Sequence, residues 1–78
     1  MEFQNFSSRA LVEGAYEPRT SMLTLWFTSA PQEGYDYPGV PMYIWEGLCA
    51  AGSSGTYYNL HIRDTYGHRR ISSGLRRR

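Results

Sequence analysis

The sequence contains no lysine and a single cysteine, Cys49. One thiol allows neither an internal disulfide nor a cysteine-based zinc site, so the chain must fold on its core alone, and a reducing, intracellular setting fits. Long apolar runs are missing as well. Nothing approaches the roughly 20 apolar residues of a membrane-spanning helix, and the opening Met1-Glu2-Phe3-Gln4-Asn5 lacks the basic-then-apolar pattern of a signal peptide. There is no internal repeat. Gly52-Ser53-Ser54-Gly55 is not a phosphate loop, since no lysine follows it and no strand precedes it. The serine pairs Ser7-Ser8, Ser53-Ser54 and Ser72-Ser73 lack a nucleophile-elbow context and read as caps and linkers. Two histidines, His61 and His68, do not by themselves make a metal site. These absences predict a chain that is not an enzyme and carries no cofactor.

What is present fits one small domain. A chain of 78 residues can bury only about 60% of the surface that it exposes when unfolded, so its stability is slim. The formal net charge of +1 is unevenly spread: residues 1–60 hold two arginines and six acids, and residues 61–78 hold six arginines and Asp64 alone. An all-arginine set of cations suits phosphate and carboxylate contacts, although a GC-rich genome produces the same bias.

In chain order, residues 1–7 read as a frayed N-terminus. Ala10 to Tyr16 reads as a first strand, weakened at Gly14, and Glu17-Pro18-Arg19-Thr20-Ser21 as a tight reversal. Met22 to Phe27 alternates as a strand should, with Leu23, Leu25 and Phe27 facing the core and Trp26 facing partly outward. Thr28 to Gly34 is expected to be a loop, and Tyr35-Asp36-Tyr37 a third strand with both tyrosines on one face. Pro38-Gly39-Val40-Pro41 breaks the sheet. A helix then runs to Ala51, with Ile44, Leu48 and Ala51 sharing a face. Ser53 or Ser54 caps a second short helix or turn over Thr56 to Ile62. Asp64 to Ile71 is expected to be extended and to add to a sheet edge, and residues 72–78 to form a disordered basic tail. The fold class is α+β: a small three-stranded antiparallel sheet, one main helix packed on it and a second short helix or turn.

These residues resemble a known family. Ser8, Ala10, Leu11, Tyr16, Leu23 and Phe27 match its pattern, followed by Tyr35-x-Tyr37, Val40-Pro41, Tyr43, Leu48 and Ala51. The series continues with Ser53-x-Gly55-x-Tyr57-Tyr58-Asn59, Ile62-Arg63 and Tyr66. Residues 8–71 are thereby similar to the KTSC domain, found at the C-terminus of some lysyl-tRNA synthetases and as stand-alone bacterial and phage proteins. Two departures stand out. The segment between Phe27 and Tyr35 is about two residues longer than the pattern, and Ala15 replaces the usual glycine before Tyr16. The resemblance implies no established activity. RNA binding has been suggested for the family, and a similar phage protein binds the host RNA polymerase.

The stretch Tyr57 to Arg63 is where an aromatic chain turns basic, and a site is expected beside it. Two functions follow. In the first, a non-catalytic module binds RNA, with Tyr35, Tyr37 or Tyr57 stacking bases, and His61, Arg63, Arg69 and Arg70 beside them. In the second, a phage or prophage regulator binds a host protein machine such as RNA polymerase. Both place the protein in a bacterial or host cytoplasm, with no membrane and no metal partner. Each tyrosine also has an ordinary role, covering a thin sheet with its hydroxyl exposed. Asn59 is expected to satisfy buried backbone groups where the chain changes direction, and Arg63 either projects from the surface or pairs with Glu46.

Overall fold

The computed structural model describes residues 1–70, Arg69 and Arg70 through their backbone alone. The elements are β1 (Glu2–Asn5), β2 (Leu11–Glu17), β3 (Met22–Phe27), β4 (Ala30–Tyr37), α1 (Met42–Ala50), α2 (Ser54–His61) and β5 (Arg69–Arg70). The strands form one antiparallel sheet in the order β1-β2-β3-β4-β5. Four full strands and a two-residue fifth thus replace the three that were expected, while the α+β class and the two helices stand.

The additional strands arise where local patterning is weak. Residues 1–7, expected to be frayed, instead contain a strand at Glu2–Asn5. It pairs along its whole length with Glu13–Tyr16, and its placement comes from tertiary contacts: the Trp45 indole N–H donates to Glu2 Oε1 at 2.8 Å. β4 begins five residues earlier than the alternation at Tyr35 suggests, because Thr28-Ser29 makes a two-residue turn and Ala30 already pairs with Phe27. The next partners are Trp26 and Gly34, so Pro31 to Glu33 form an irregular bulge. The extra length in this segment is therefore taken up inside a strand, where Pro31 is tolerated because it need not donate to the ladder. A second bulge between Leu11 and Glu13 lets Leu11, Gly14 and Tyr16 all lie on the helix side of β2.

Both helices cover that side. The core joins Leu11, Tyr16, Leu23, Leu25 and Tyr37 of the sheet to Ile44, Trp45 and Leu48 of α1, with Val40 and Ile62 filling its ends. Gly14, read as a weak point, is a position of close approach: a β-carbon there would come within 3.0 Å of Phe6, 3.1 Å of Trp45 and 3.2 Å of Leu25. Trp26 departs from expectation in another way. It lies opposite Glu13 and Gly34, yet it is 5% exposed, and its indole N–H has no hydrogen-bond partner among the described residues. The terminal segment read as a basic tail, residues 72–78, lies outside the described residues.

Candidate functional site

Pro41 precedes α1 in extended conformation, and its carbonyl accepts from Ile44 N at 3.0 Å, so the ring sits where a helix has no need of its N–H. Ser53 opens α2, its hydroxyl oxygen accepting from Thr56 N at 3.3 Å. Gly55 lies against the 8–10 loop, where a β-carbon would meet that of Ala10 at 3.2 Å. Ser8 holds this loop by accepting from Ala10 N and Leu11 N. The Ser-x-Gly-x-Tyr-Tyr run is therefore chiefly architectural: a cap, a close approach, then two rings that leave the helix in different directions.

Tyr58 turns toward the sheet. Its hydroxyl lies 2.8 Å from that of Tyr37, and its ring meets Phe27 edge-on at 5.1 Å. Tyr35 packs edge-on against Phe27 at 5.6 Å and against His68 at 5.3 Å, and His68 also touches Tyr37 at 5.4 Å. These five rings form one cluster beneath α2. Tyr37 is 1% exposed, and its hydroxyl is held well above the usual tyrosine range by burial first and by the Tyr58 bond second. A ring so enclosed cannot stack on a base, which corrects the role expected of Tyr37. Tyr35 is half-buried and keeps only part of its surface for a partner.

Tyr57 turns toward α1 and lies across Gly47, where an added methyl would overlap its hydroxyl. Gly47 is thus more than a weak helix residue: it makes room for a ring. The Tyr57 ring meets His61 at 4.5 Å, one turn along α2. Burial raises the Tyr57 hydroxyl above its ordinary value, with Tyr43 and Tyr66 adding to the effect. Tyr43 and Tyr66 thus lie near enough to Tyr57 to act on its hydroxyl electrostatically, and Tyr43 and His61 are exposed.

Arg63 is exposed, its backbone N–H bonded to the Tyr58 carbonyl at 2.9 Å. Among the described residues its guanidinium forms no ion pair, so of the two alternatives, projection from the surface or pairing with Glu46, the pair is not made. Arg69 and Arg70 stand opposite Asp36 and Tyr35 in the β5–β4 ladder. The predicted residues accordingly divide between two places: Tyr57, His61 and Arg63 around α2, and Tyr35, Tyr37, Arg69 and Arg70 at the β4–β5 edge. Asn59 is exposed on α2 beside a polar groove with Ser7, Arg9 and Ser53, and among the described residues it lacks the buried hydrogen bonds expected of it. Asp64 lies between the two histidines in sequence, yet among the described residues no three His, Cys, Asp or Glu side chains form a metal-binding group. No helix among the described residues is long and apolar enough to cross a membrane.

With this geometry in view, the profile of the KTSC domain matches residues 7–66, most of the chain. The protein belongs to the KTSC domain family. A crystal structure of a KTSC domain protein from Yersinia pestis is similar at 27% identity and a TM-score of 0.82, covering 90% of this chain and 96% of that one. Comparison with curated proteins finds no match. In this KTSC domain, residues of the shared pattern divide between architecture, as in Ser8, Ser53, Gly55 and Ile62, and the exposed surface, as in Tyr43 and Arg63.

Cys49 lies apart from this surface, half-buried on α1. Burial, and then the carboxylates of Glu2 and Glu46, push its thiol from 9.0 to about 11. At pH 8 its thiolate fraction is therefore about a hundredfold below that of an ordinary thiol. Iodoacetamide should alkylate the folded protein far more slowly than the urea-unfolded one. Folded and unfolded rates within about threefold of each other would contradict this environment.

Proposed function

We propose that this KTSC domain is a non-catalytic module that binds single-stranded RNA on the outer surface of its helical layer, in a bacterial or host cytoplasm. The observations that carry this reading are the exposed Tyr43, the Tyr57–His61 ring contact with His61 exposed, and the exposed Arg63 two residues after His61, whose guanidinium forms no ion pair among the described residues. Arg69 and Arg70 extend the basic character of the C-terminal stretch. Tyr37 has no part in this version, and Tyr35 a minor one.

Anisotropy of a short labelled oligouridylate, titrated from about 50 mM salt upward, tests the reading because each phosphate contact adds roughly 0.7 to the log–log salt slope for single strands. Arg63→Ala should weaken binding and lower that slope by about 0.7. Gly47→Ala should weaken binding without lowering the slope, since it displaces the Tyr57 ring and removes no charge. Absence of binding even at about 50 mM salt would exclude the RNA reading.

A specific observation supports a second reading, a regulator that docks on a host protein machine such as RNA polymerase. Leu60 is 70% exposed on α2 and Tyr43 68% exposed on α1, leaving a large apolar and an aromatic side chain to be covered by a partner, and tyrosine is enriched in protein interfaces. Loss of binding to purified bacterial RNA polymerase on Leu60→Asp, with RNA binding unchanged, would favour this second reading.

A further inference from the structure

Ser53 and Ser54 stand side by side but are used differently. Ser53 caps α2, its hydroxyl oxygen accepting from Thr56 N and its carbonyl from Tyr57 N at 3.0 Å. The other two N–H groups that the start of the helix leaves open, those of Ser54 and Gly55, have no partner among the described residues. Ser54 is 7% exposed, and among the described residues its hydroxyl makes no hydrogen bond either. Enclosing an unbonded hydroxyl completely is unfavourable. That of Ser54 is not completely enclosed, because the residue lines a groove at the start of α2.

The groove encloses about 420 Å³ between the first turn of α2 and the 7–10 loop. No carboxylate lines it, and its formal charge is the guanidinium of Arg9, which is exposed and has no ion pair among the described residues. Ser8 braces the loop that carries Arg9 by accepting from Ala10 N and Leu11 N, and Gly55 lets that loop approach the helix closely. Gly52-Ser53-Ser54-Gly55 lacks the lysine of a phosphate loop, but the fold brings a cation to it from a distant part of the chain. Two N–H groups, the Ser54 hydroxyl and the Arg9 fork are all donors, and the positive end of α2 lies among them. An anion with three unbridged oxygens uses such a set fully. We infer that this groove is a binding site for a terminal phosphate group, free or carried by a nucleotide, which accepts from the Ser54 and Gly55 main chain and the Ser54 hydroxyl and pairs with Arg9. The site uses neither Tyr43 nor Arg63, so it stands or falls apart from the RNA reading.

The probes are inorganic phosphate, uridine 5′-monophosphate and uridine, each titrated at constant ionic strength into the isotope-labelled whole chain. Both phosphates should shift the Ser54 and Gly55 amide resonances, with dissociation constants near or below about 1 mM, and uridine should leave them in place. Tighter binding of the monophosphate assigns the site to nucleotides, and equal binding assigns it to phosphate itself. Ser54→Ala removes a hydroxyl that no described residue needs, and Arg9→Gln removes an exposed charge, so both variants should fold, as circular dichroism checks. Each should weaken phosphate binding about fivefold or more, through a lost charge-assisted hydrogen bond. Unmoved Ser54 and Gly55 amides at about 20 mM of either phosphate would overturn the inference. So would shifts centred on residues 57–63, equal shifts by uridine, or indifference to both substitutions.

Discussion

Replacing Trp45 with alanine is expected to lower stability by about 3–5 kcal/mol, the range for truncating a buried tryptophan. The residue is 2% exposed, stacks on Tyr16 at 5.8 Å with the planes 12° apart, contributes to the close packing around Gly14, and donates to Glu2 across the β1–α1 seam. A domain of this size has roughly 4–12 kcal/mol in total, so the variant should be marginally folded at best. Urea unfolding is the measurement, read as a fall in midpoint with the slope retained. Trp45→Phe separates the contributions: most of the packing remains and the bond to Glu2 is lost, for a cost nearer 1 kcal/mol. A loss below about 1 kcal/mol for the alanine variant would show that the β1–α1 seam is not part of the cooperative core.

Trp45 also marks where the sequence stopped being legible. Its helix was readable from Ile44, Leu48 and the proline before them, because these follow a 3.6-residue period. That the indole would tie down Glu2–Asn5 was not readable, since a contact between residues 2 and 45 leaves no local pattern. The missing strands share this cause. β1 is polar and wholly exposed, and β4 is broken by a bulge and a proline, so neither alternates over its length. β3 is found over Met22–Phe27 as expected, and its alternation puts Leu23 and Leu25 on the core face, whereas β2 is found at Leu11–Glu17 with Glu13 to Tyr16 all buried, so burial along it does not alternate.

The site was legible as a stretch of sequence and less so as a set of roles. Tyr57 and Tyr58 are adjacent and chemically identical, and only their roughly 100° separation around the helix sends one toward α1 and the other under it. Tyr35 and Tyr37 were rightly placed on one face, but whether that face was open depended on where α2 and His68 would lie. Exposure of Tyr43 and Leu60 likewise depends on how two short helices share the sheet, which neither helix specifies alone.

The sharpest contrast in the molecule lies between neighbours, so Ile62→Ala and Arg63→Ala are expected to fail in opposite ways. Ile62 is fully buried, belongs to the core cluster, and donates its N–H to the Tyr58 carbonyl as α2 ends. Truncating it should cost about 2–5 kcal/mol through lost burial and the cavity left behind. The chain has no disulfide with which to offset that loss. Arg63 is exposed and without an ion pair among the described residues, so its truncation should change stability by no more than about 0.5 kcal/mol. The guanidinium is instead expected to show in binding, as weaker RNA affinity per folded molecule. Measuring thermal unfolding and oligouridylate binding on the same preparations separates the two effects, with Ile62→Ala binding compared at a temperature where it remains folded. If Arg63→Ala unfolds the domain while binding per folded molecule is unchanged, the residue is structural, and the outer surface of α2 loses the cation on which its proposed role depends.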